Sequence, residues 1–162
     1  MTVEAAEVGT PIVARVQAVS HAYKKVVALE DVSLEFTRGR MIGVVGPDGV
    51  GKSTLLGLVA GARRIQEGTL EVLGGDMRSS RHRTKVSPRI AYMPQGLGKS
   101  LYQALSIREN LEFFGRMFGL GRDDLQVRIQ QLTKATGLHP FLDRPAGKLS
   151  GGMKQKLSLI HI

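Results

Sequence analysis

Residues 46–54 have the types and the spacing of a loop that binds phosphate. They fit the pattern G-x-x-x-x-G-K-[ST], in which glycines precede a lysine and a hydroxyl residue. Because glycine has no Cβ, several backbone N–H groups of such a loop can point inward toward an anion. The alternative is a glycine-rich turn that fits the pattern by chance. The segment consists of Gly46, Pro47, Asp48, Gly49, Val50, Gly51, Lys52, Ser53 and Thr54.

The end of this pattern would carry the phosphate chemistry. Lys52 would reach the β- and γ-phosphates of a nucleotide, and the hydroxyl of Ser53 would hold Mg²⁺. The apolar segment 41–45 predicts a strand that is buried on both faces. Residues 55–60 predict a helix, and the positive end of its dipole would lie beneath the loop. Strand, glycine loop and helix together are the context that the pattern requires.

A second glycine-rich segment lies at 149–155, where the sequence reads Leu-Ser-Gly-Gly-Met-Lys-Gln. Two glycines after a serine, with residues compatible with a helix beyond them, expose N–H groups at a helix start. This geometry again predicts an anion site. The alternative is a simple N-cap, because serine is a favoured cap and glycine permits the turn.

A glutamine follows another apolar segment. Residues 90–93 predict a core strand, and Pro94 ends it because proline cannot donate to a sheet ladder. Gln95 would then lie at the carboxyl end of a parallel strand, where α/β folds place ligands. The alternative is an ordinary loop glutamine, which position alone favours.

The segment 78–89 is basic. Runs of charge are usually a solvated surface, and contact with an RNA backbone is the alternative. No aromatic residue interleaves there, which weakens the case for base stacking. The basic residues are Arg78, Arg81, His82, Arg83, Lys85 and Arg89.

The remaining segments predict a sheet followed by helices. Strands are predicted at 12–19, 32–36 and 69–73 from β-branched content and from alternation of apolar with polar residues. The S-x-x-E sequence at 106–109 is a capping box, so a helix should begin there.

A second helix is predicted farther along the chain. Asp123 or Asp124 would cap its start, and Gly137 would end it.

Composition sets outer bounds on function. The 162 residues can bury a core, and one domain is the expectation for this length. The net charge of +9 and the pI near 10.3 suit an anionic partner such as nucleotide, RNA or a lipid surface. The absence of cysteine excludes disulfides and thiolate metal sites and fits a cytosolic location. We expect no membrane span and no secretory signal in this sequence.

The chain resembles the nucleotide-binding domain of ATP-binding cassette (ABC) transporters. The loop at 46–54, the glutamine in 92–95 and the L-S-G-G-x-[KRQ]-Q segment at 149–155 stand in that family's order and approximate spacing. The resemblance covers nearly all residues from 12 to 157, and the last motif is far more specific than a phosphate loop. It implies an α/β fold with a P-loop NTPase (RecA-like) core, an antiparallel β subdomain and a helical subdomain, incomplete at the carboxyl end.

The resemblance implies ATP and Mg²⁺ as ligands. Tyr23 would stack on adenine, and residues 46–54 would wrap the phosphates. Ser53 and Gln95 would approach Mg²⁺, and Gln95 would also sense the attacking water and the contact with a permease.

The resemblance also implies partners. A second cassette, in a dimer or in the same chain, would hold an ATP whose γ-phosphate is contacted by Ser150, Gly151 and Gly152, with Gln155 beside them. A membrane permease would complete the transporter, and this places the cassette at the cytoplasmic face of the inner membrane. No DNA partner is expected.

We predict five segments along the chain. A flexible leader at 1–11 precedes the α/β core with its antiparallel β subdomain at 12–98 and the helical subdomain at 99–148. The ABC signature motif and the start of the next helix follow at 149–157, and residues 158–162 are a non-native tail.

The sequence departs from the family after Leu157. There the family has a strand that ends in an aspartate and a glutamate, and later a histidine that contacts the γ-phosphate. None of these has a counterpart here, so no catalytic residue is assigned, and we expect no ATP hydrolysis by this chain alone.

Three functions stay open at this point. The chain resembles the bacterial ribosome-associated ATPase, in which two cassettes precede an ABC-2 type permease, in the sequences of 46–51, 74–78, 93–99 and 143–148. Drug-efflux ATPases share much of the same sequence. The main interpretation is a cassette that drives efflux. The alternatives are a ribosome-associated ATPase that acts in translation and a soluble cassette protein with no permease.

Overall fold

The computed structural model describes residues 11–96 and 100–160. The chain divides into two compact units, one through Tyr92 and one from Met93, and each has its own apolar core. None of the helices in the described ranges has the length and apolar character that crossing a bilayer requires.

A four-stranded antiparallel sheet organises the first unit. Its strands are β1 (Ile12–Tyr23), β2 (Val26–Thr37), β3 (Thr69–Val72) and β4 (Gly75–Asp76). They lie in the order β2-β1-β3-β4, and all neighbours run antiparallel. In β3, buried Leu70 and Val72 alternate with exposed residues, as expected for a strand with one solvated face. The strands predicted at 12–19, 32–36 and 69–73 are thus confirmed.

Helix α1 (Lys52–Val59) packs on this sheet. Its Leu55 and Leu58 share one buried core with Val16 of β1 and Leu70 of β3. Burying an aliphatic side chain of this size stabilises the fold by about 1.5–3 kcal/mol. These contacts therefore fix the helix that begins at the end of the phosphate loop, as the sequence predicts.

Two predicted core strands are absent from the described fold. Residues 41–45 and 90–93 have no regular secondary structure, and the prediction of strands there is wrong. Met41 is fully exposed and Val45 is 84% exposed, which also overturns the expected burial on both faces. A strand needs a hydrogen-bonded neighbour, and the described residues provide none for either segment.

Helices make up the second unit. The main ones are α3 (Ile107–Met117), α4 (Arg122–Thr136) and α5 (Gly151–Ile160), and a short α2 (Ser80–Val86) belongs to the first unit. The core of the second unit contains Leu101, Ile107, Leu111, Leu125, Ile129, Leu138, Leu142, Ala146, Leu149 and Leu157.

The predicted end of α4 is confirmed and its predicted cap is wrong. Gly137 ends the helix in the left-handed conformation (φ 71°), which glycine adopts without steric cost. The N-cap is Gly121, so Asp123 and Asp124 lie in the first turn instead. There their charges still favour the helix, because they face the positive end of its dipole.

The capping box of α3 is confirmed. The hydroxyl of Ser106 accepts from the Glu109 N–H at 3.2 Å, and the Ser106 N–H donates to Glu109 Oε2 at 2.7 Å. The hydrogen bond from the Ser106 backbone, followed by the one from its side chain, lowers the pKa of Glu109 below its ordinary value. The charged carboxylate is therefore the form that stabilises the start of α3.

We predict that α3 frays in acid because of this box. A lowered pKa contributes stability that is present above the unfolded pKa of about 4.3 and is lost as the pH falls through the folded pKa. The protection factors of the α3 amides, which compare the measured exchange with the intrinsic rate at each pH, should therefore fall below about pH 4.3. Glu109→Gln is the control, since glutamine can complete the box without titrating. Equal acid sensitivity in the variant and in the parent would contradict the prediction.

Candidate functional site

The phosphate loop is built by two glycines in the left-handed conformation. Gly49 has φ 82° and Gly51 has φ 92°, a region that other residues rarely adopt. Gly51 is also the N-cap of α1. A Cβ on Gly51 would overlap the carbonyl oxygen of Ala28 in β2. The loop therefore lies so close to the sheet at this position that only glycine, which has no Cβ, fits there.

Lys52 folds back over the loop that precedes it. Its Nζ donates to the carbonyl oxygens of Gly46 at 2.7 Å and of Pro47 at 2.6 Å. An ammonium held this way at exposed loop carbonyls is available to a phosphate. The sequence contains no acidic residue in the first turn of α1, so no side chain there competes with an anion for the helix dipole.

The two hydroxyl residues of the motif differ in accessibility. Ser53 is exposed in the first turn of α1, whereas Thr54 is buried. An exposed hydroxyl oxygen is the kind of hard donor that Mg²⁺ accepts alongside water and phosphate oxygens. Ser53 thus fits the predicted metal role, and Thr54 faces the fold.

Tyr23 lies beside α1. It ends β1, and its hydroxyl is 3.2 Å from the hydroxyl of Thr54. The ring packs edge-on against His21, with centroids 4.8 Å apart and 69° between the ring planes, and 39% of Tyr23 is exposed. The structure thus brings the predicted adenine-stacking residue to the helix that carries the predicted phosphate-binding residues.

The second unit holds the remaining predicted site residues. Ser150, Gly151, Gly152 and Gln155 are all exposed at the start of α5. The Ser150 hydroxyl accepts from the Met153 N–H at 3.3 Å, so the N-cap interpretation of this turn is confirmed. A Cβ on Gly152 would meet no atom within 4 Å. The turn can therefore cap its own helix and still present its glycines to another molecule.

Gln95 is exposed, lies outside regular secondary structure and belongs to the unit that begins at Met93. Residues 158–160 continue α5, and 161–162 lie outside the described residues, as do 1–10 and 97–99.

The basic segment is partly used inside the fold. Arg78 donates to the carbonyl oxygen of Gly68, and Arg83 donates to those of Met77 at 2.6 Å and Arg78 at 2.7 Å. Arg81 and Lys85 are exposed on α2. The segment is a short helix with a solvated face, which is the interpretation that charge runs favour.

Two residues that contact Tyr23 or the adjacent Ala22 were not identified from the sequence. Gln66 hydrogen-bonds the backbone of Ala22, and the guanidinium of Arg63 lies over the Tyr23 ring. Both come from the loop after α1, more than 35 positions along the chain from Tyr23. No motif or periodicity marks them, because the sheet and helix packing alone brings them there.

Comparison with protein families finds one match that covers most of the chain. The ABC transporter family matches residues 29–162. The ABC transporter ATP-binding protein NatA of Bacillus subtilis is 36% identical over 137 residues, which are 84% of this chain and 54% of NatA. A probable multidrug ABC transporter ATP-binding protein, YbhF of Escherichia coli, is 39% identical over 121 residues, which are 75% of this chain and 20% of YbhF. The chain thus spans about half or less of the length of these relatives.

Comparison with solved structures supports the fold. The structure of an ATP-binding subunit of an ABC transporter superposes with a TM-score of 0.78 at 26% identity, covering 92% of this chain and 60% of that one. The α/β fold class with a P-loop NTPase core, predicted from the resemblance, is confirmed by this likeness. Curated relatives of similar identity include proteins named for export and proteins named for import.

Proposed function

The chain belongs to the ABC transporter family of ATP-binding proteins, and from that premise we propose that it is the ATP-binding cassette of an exporter with an ABC-2 type permease. The observation that carries the nucleotide part is the position of Lys52, whose ammonium is held across the carbonyls of a left-handed glycine loop at the start of α1. A triphosphate can replace those carbonyls as the partner of the ammonium.

Binding of MgATP would use the residues around α1. The loop N–H groups and Lys52 would take the phosphates, and Tyr23 would take the base. Ser53 would hold Mg²⁺, which supplies charge neutralisation at the phosphates when bound. Thr54 holds the Tyr23 hydroxyl and so links the base end of the site to the phosphate end.

Nucleotide binding is the role proposed for these 162 residues, because the residues around α1 are the ones that would contact ATP. Coupling to transport would follow when two cassettes close on the nucleotide and reopen.

The proposed partners follow from the family and from the exposed turn at 150–152, the signature turn. ABC ATP-binding proteins work with membrane permeases and dimerise. We propose that Ser150, Gly151, Gly152 and Gln155 contact ATP on a second cassette, since they are exposed and an added Cβ on Gly152 meets open space. With a permease as partner, the cassette would lie at the cytoplasmic face of the inner membrane.

Export through an ABC-2 permease is the more specific part of the proposal. It is supported by the motif sequences that the chain shares with drug-efflux ATPases and by the similarity to a relative named for multidrug transport. The basic segment gives the ribosome alternative less support than its charge suggests, because Arg78 and Arg83 bond carbonyls of their own fold. ATP-dependent efflux by vesicles that contain the complete protein with its permease would test the export direction, and ATP-dependent uptake would contradict it.

A negative charge on the signature turn should weaken the association of two cassettes. Gly152→Asp places a carboxylate where a γ-phosphate would lie, and like charges brought together at an interface cost several kcal/mol. We expect ATP-dependent self-association of the chain, measured by sedimentation, to weaken about tenfold or more.

The matched control is Gly121→Asp, which makes the same change at another exposed helix start in the same unit. ATP affinity of the monomer should stay at the parent value in both variants. Equal association by Gly152→Asp and Gly121→Asp would contradict the proposed role of the turn.

A further inference from the structure

The ring of Tyr23 is held in place by the loop that follows α1. We infer that Arg63 and Gln66 of this loop position Tyr23 as the platform for the nucleotide base. The inference rests on the nucleotide-binding function proposed above and adds two positioning residues to it.

Gln66 fixes the backbone next to Tyr23. Its Oε1 accepts from the Ala22 N–H at 2.8 Å, and its Nε2 donates to the Ala22 carbonyl at 3.0 Å. The ladder between β1 and β3 runs only from Ala14 to Gln17 on the β1 side. Beyond that point the Gln66 amide supplies both the donor and the acceptor that a neighbouring strand would supply.

Arg63 fixes the ring. Its guanidinium carbon lies 5.1 Å from the centroid of the Tyr23 ring, within the range of a cation–π contact. The side chain reaches this position across α1, where Gly57 leaves room for it: a Cβ on Gly57 would lie 3.1 Å from Arg63 Nε. The Arg63 N–H also donates to the Gly57 carbonyl at 3.1 Å. Arg63 is thus tied to α1 through both its backbone and its side chain.

The third tie is the 3.2 Å contact between the Tyr23 and Thr54 hydroxyls. With the ring tip, the ring face and the adjacent backbone all held by α1 or its following loop, Tyr23 has little freedom to lose on binding. An aromatic side chain that is exposed and already ordered stacks a base at a smaller entropic cost than a mobile one. Arg63 and Gln66 should therefore contribute to affinity for the base and not to affinity for the phosphates.

Two ligands separate these contributions. ATP contains the base, and inorganic tripolyphosphate contains only the phosphates. We expect Arg63→Ala to weaken ATP binding to the purified chain about two- to fivefold, the value of a cation–π contact at an exposed site. Tripolyphosphate affinity should not change. Gln66→Ala should show the same split, and Arg63→Lys, which keeps a cation, should restore part of the ATP affinity.

Arg64→Ala is the matched control, because it removes an equal charge from an exposed neighbour in the same loop. Equal losses for ATP and tripolyphosphate in Arg63→Ala would overturn the inference, since a general disturbance of the loop would then explain them. An unchanged ATP affinity would also overturn it while leaving the proposed function intact. A parent chain that binds neither ligand would instead reject the proposed function and, with it, the inference.

Discussion

Lys52→Ala is expected to weaken ATP binding by the purified chain about 100-fold. A hydrogen bond to a charged group contributes about 1.5–3 kcal/mol, and Lys52 would serve two phosphates of the nucleotide, so about 2.7 kcal/mol is a moderate expectation. Equilibrium titration with ATP in the presence of Mg²⁺ measures the change. The loss should be the same for tripolyphosphate, which shows that the interaction is with phosphate.

The effect on folding should be much smaller than the effect on binding. The ammonium is hydrogen-bonded to the carbonyls of Gly46 and Pro47, but both carbonyls are exposed and can turn to water when the side chain is removed. A net hydrogen bond of this kind is worth about 0.5–1.5 kcal/mol. Urea denaturation of the variant should therefore show only a slight loss of stability.

Lys85→Ala is the control, since it removes the same charge from the exposed face of α2 in the same unit. It should change ATP affinity by less than about twofold, because exposed charges at a distance are screened by salt. If Lys52→Ala binds ATP as tightly as Lys85→Ala does, the loop at 46–54 is not the phosphate site and the proposed function fails.

The parts of this fold that the sequence predicts are those that depend on neighbours along the chain. The Ser106 capping box and the glycine stop at Gly137 act within one helical turn, and both stand as predicted. The alternation of Leu70 and Val72 with solvated residues is likewise local. The start of α1 after the phosphate loop belongs to the same class, because a glycine N-cap and the helix formers beyond it are adjacent.

The N-cap of α4, predicted at Asp123 or Asp124 and found at Gly121, is a local prediction that fails. The other predictions that fail concern contacts between distant segments. Residues 41–45 and 90–93 have the apolar content of buried strands, but a strand of a parallel sheet depends on neighbours that periodicity cannot supply. The described residues offer them no partner, and Val45 is exposed as a consequence. Arg63 and Gln66 are the converse case: nothing in their sequence context marks them, and packing carries them to Tyr23.

Gly51→Ala should destabilise the first unit more than any other glycine change in the phosphate loop. Two separate penalties act at this position. The left-handed conformation costs a residue with a Cβ about 1–2 kcal/mol, and the new methyl group would overlap the Ala28 carbonyl and crowd Leu29 in β2. Forcing extra volume into a packed site adds about 1–3 kcal/mol. The expected total is about 2–5 kcal/mol, measured as the free energy of unfolding in urea.

Gly49→Ala separates the two penalties. Gly49 has a similar left-handed conformation, with φ 82° against 92° for Gly51, but a Cβ there would meet nothing within 4 Å. It should lose only the conformational part, about 1–2 kcal/mol. The difference between the variants therefore measures the close approach of the loop to β2. If both variants are equally stable, that approach does not exist in solution. If Gly51→Ala fails to fold while Gly49→Ala folds, the approach is confirmed at the upper end of the expected range.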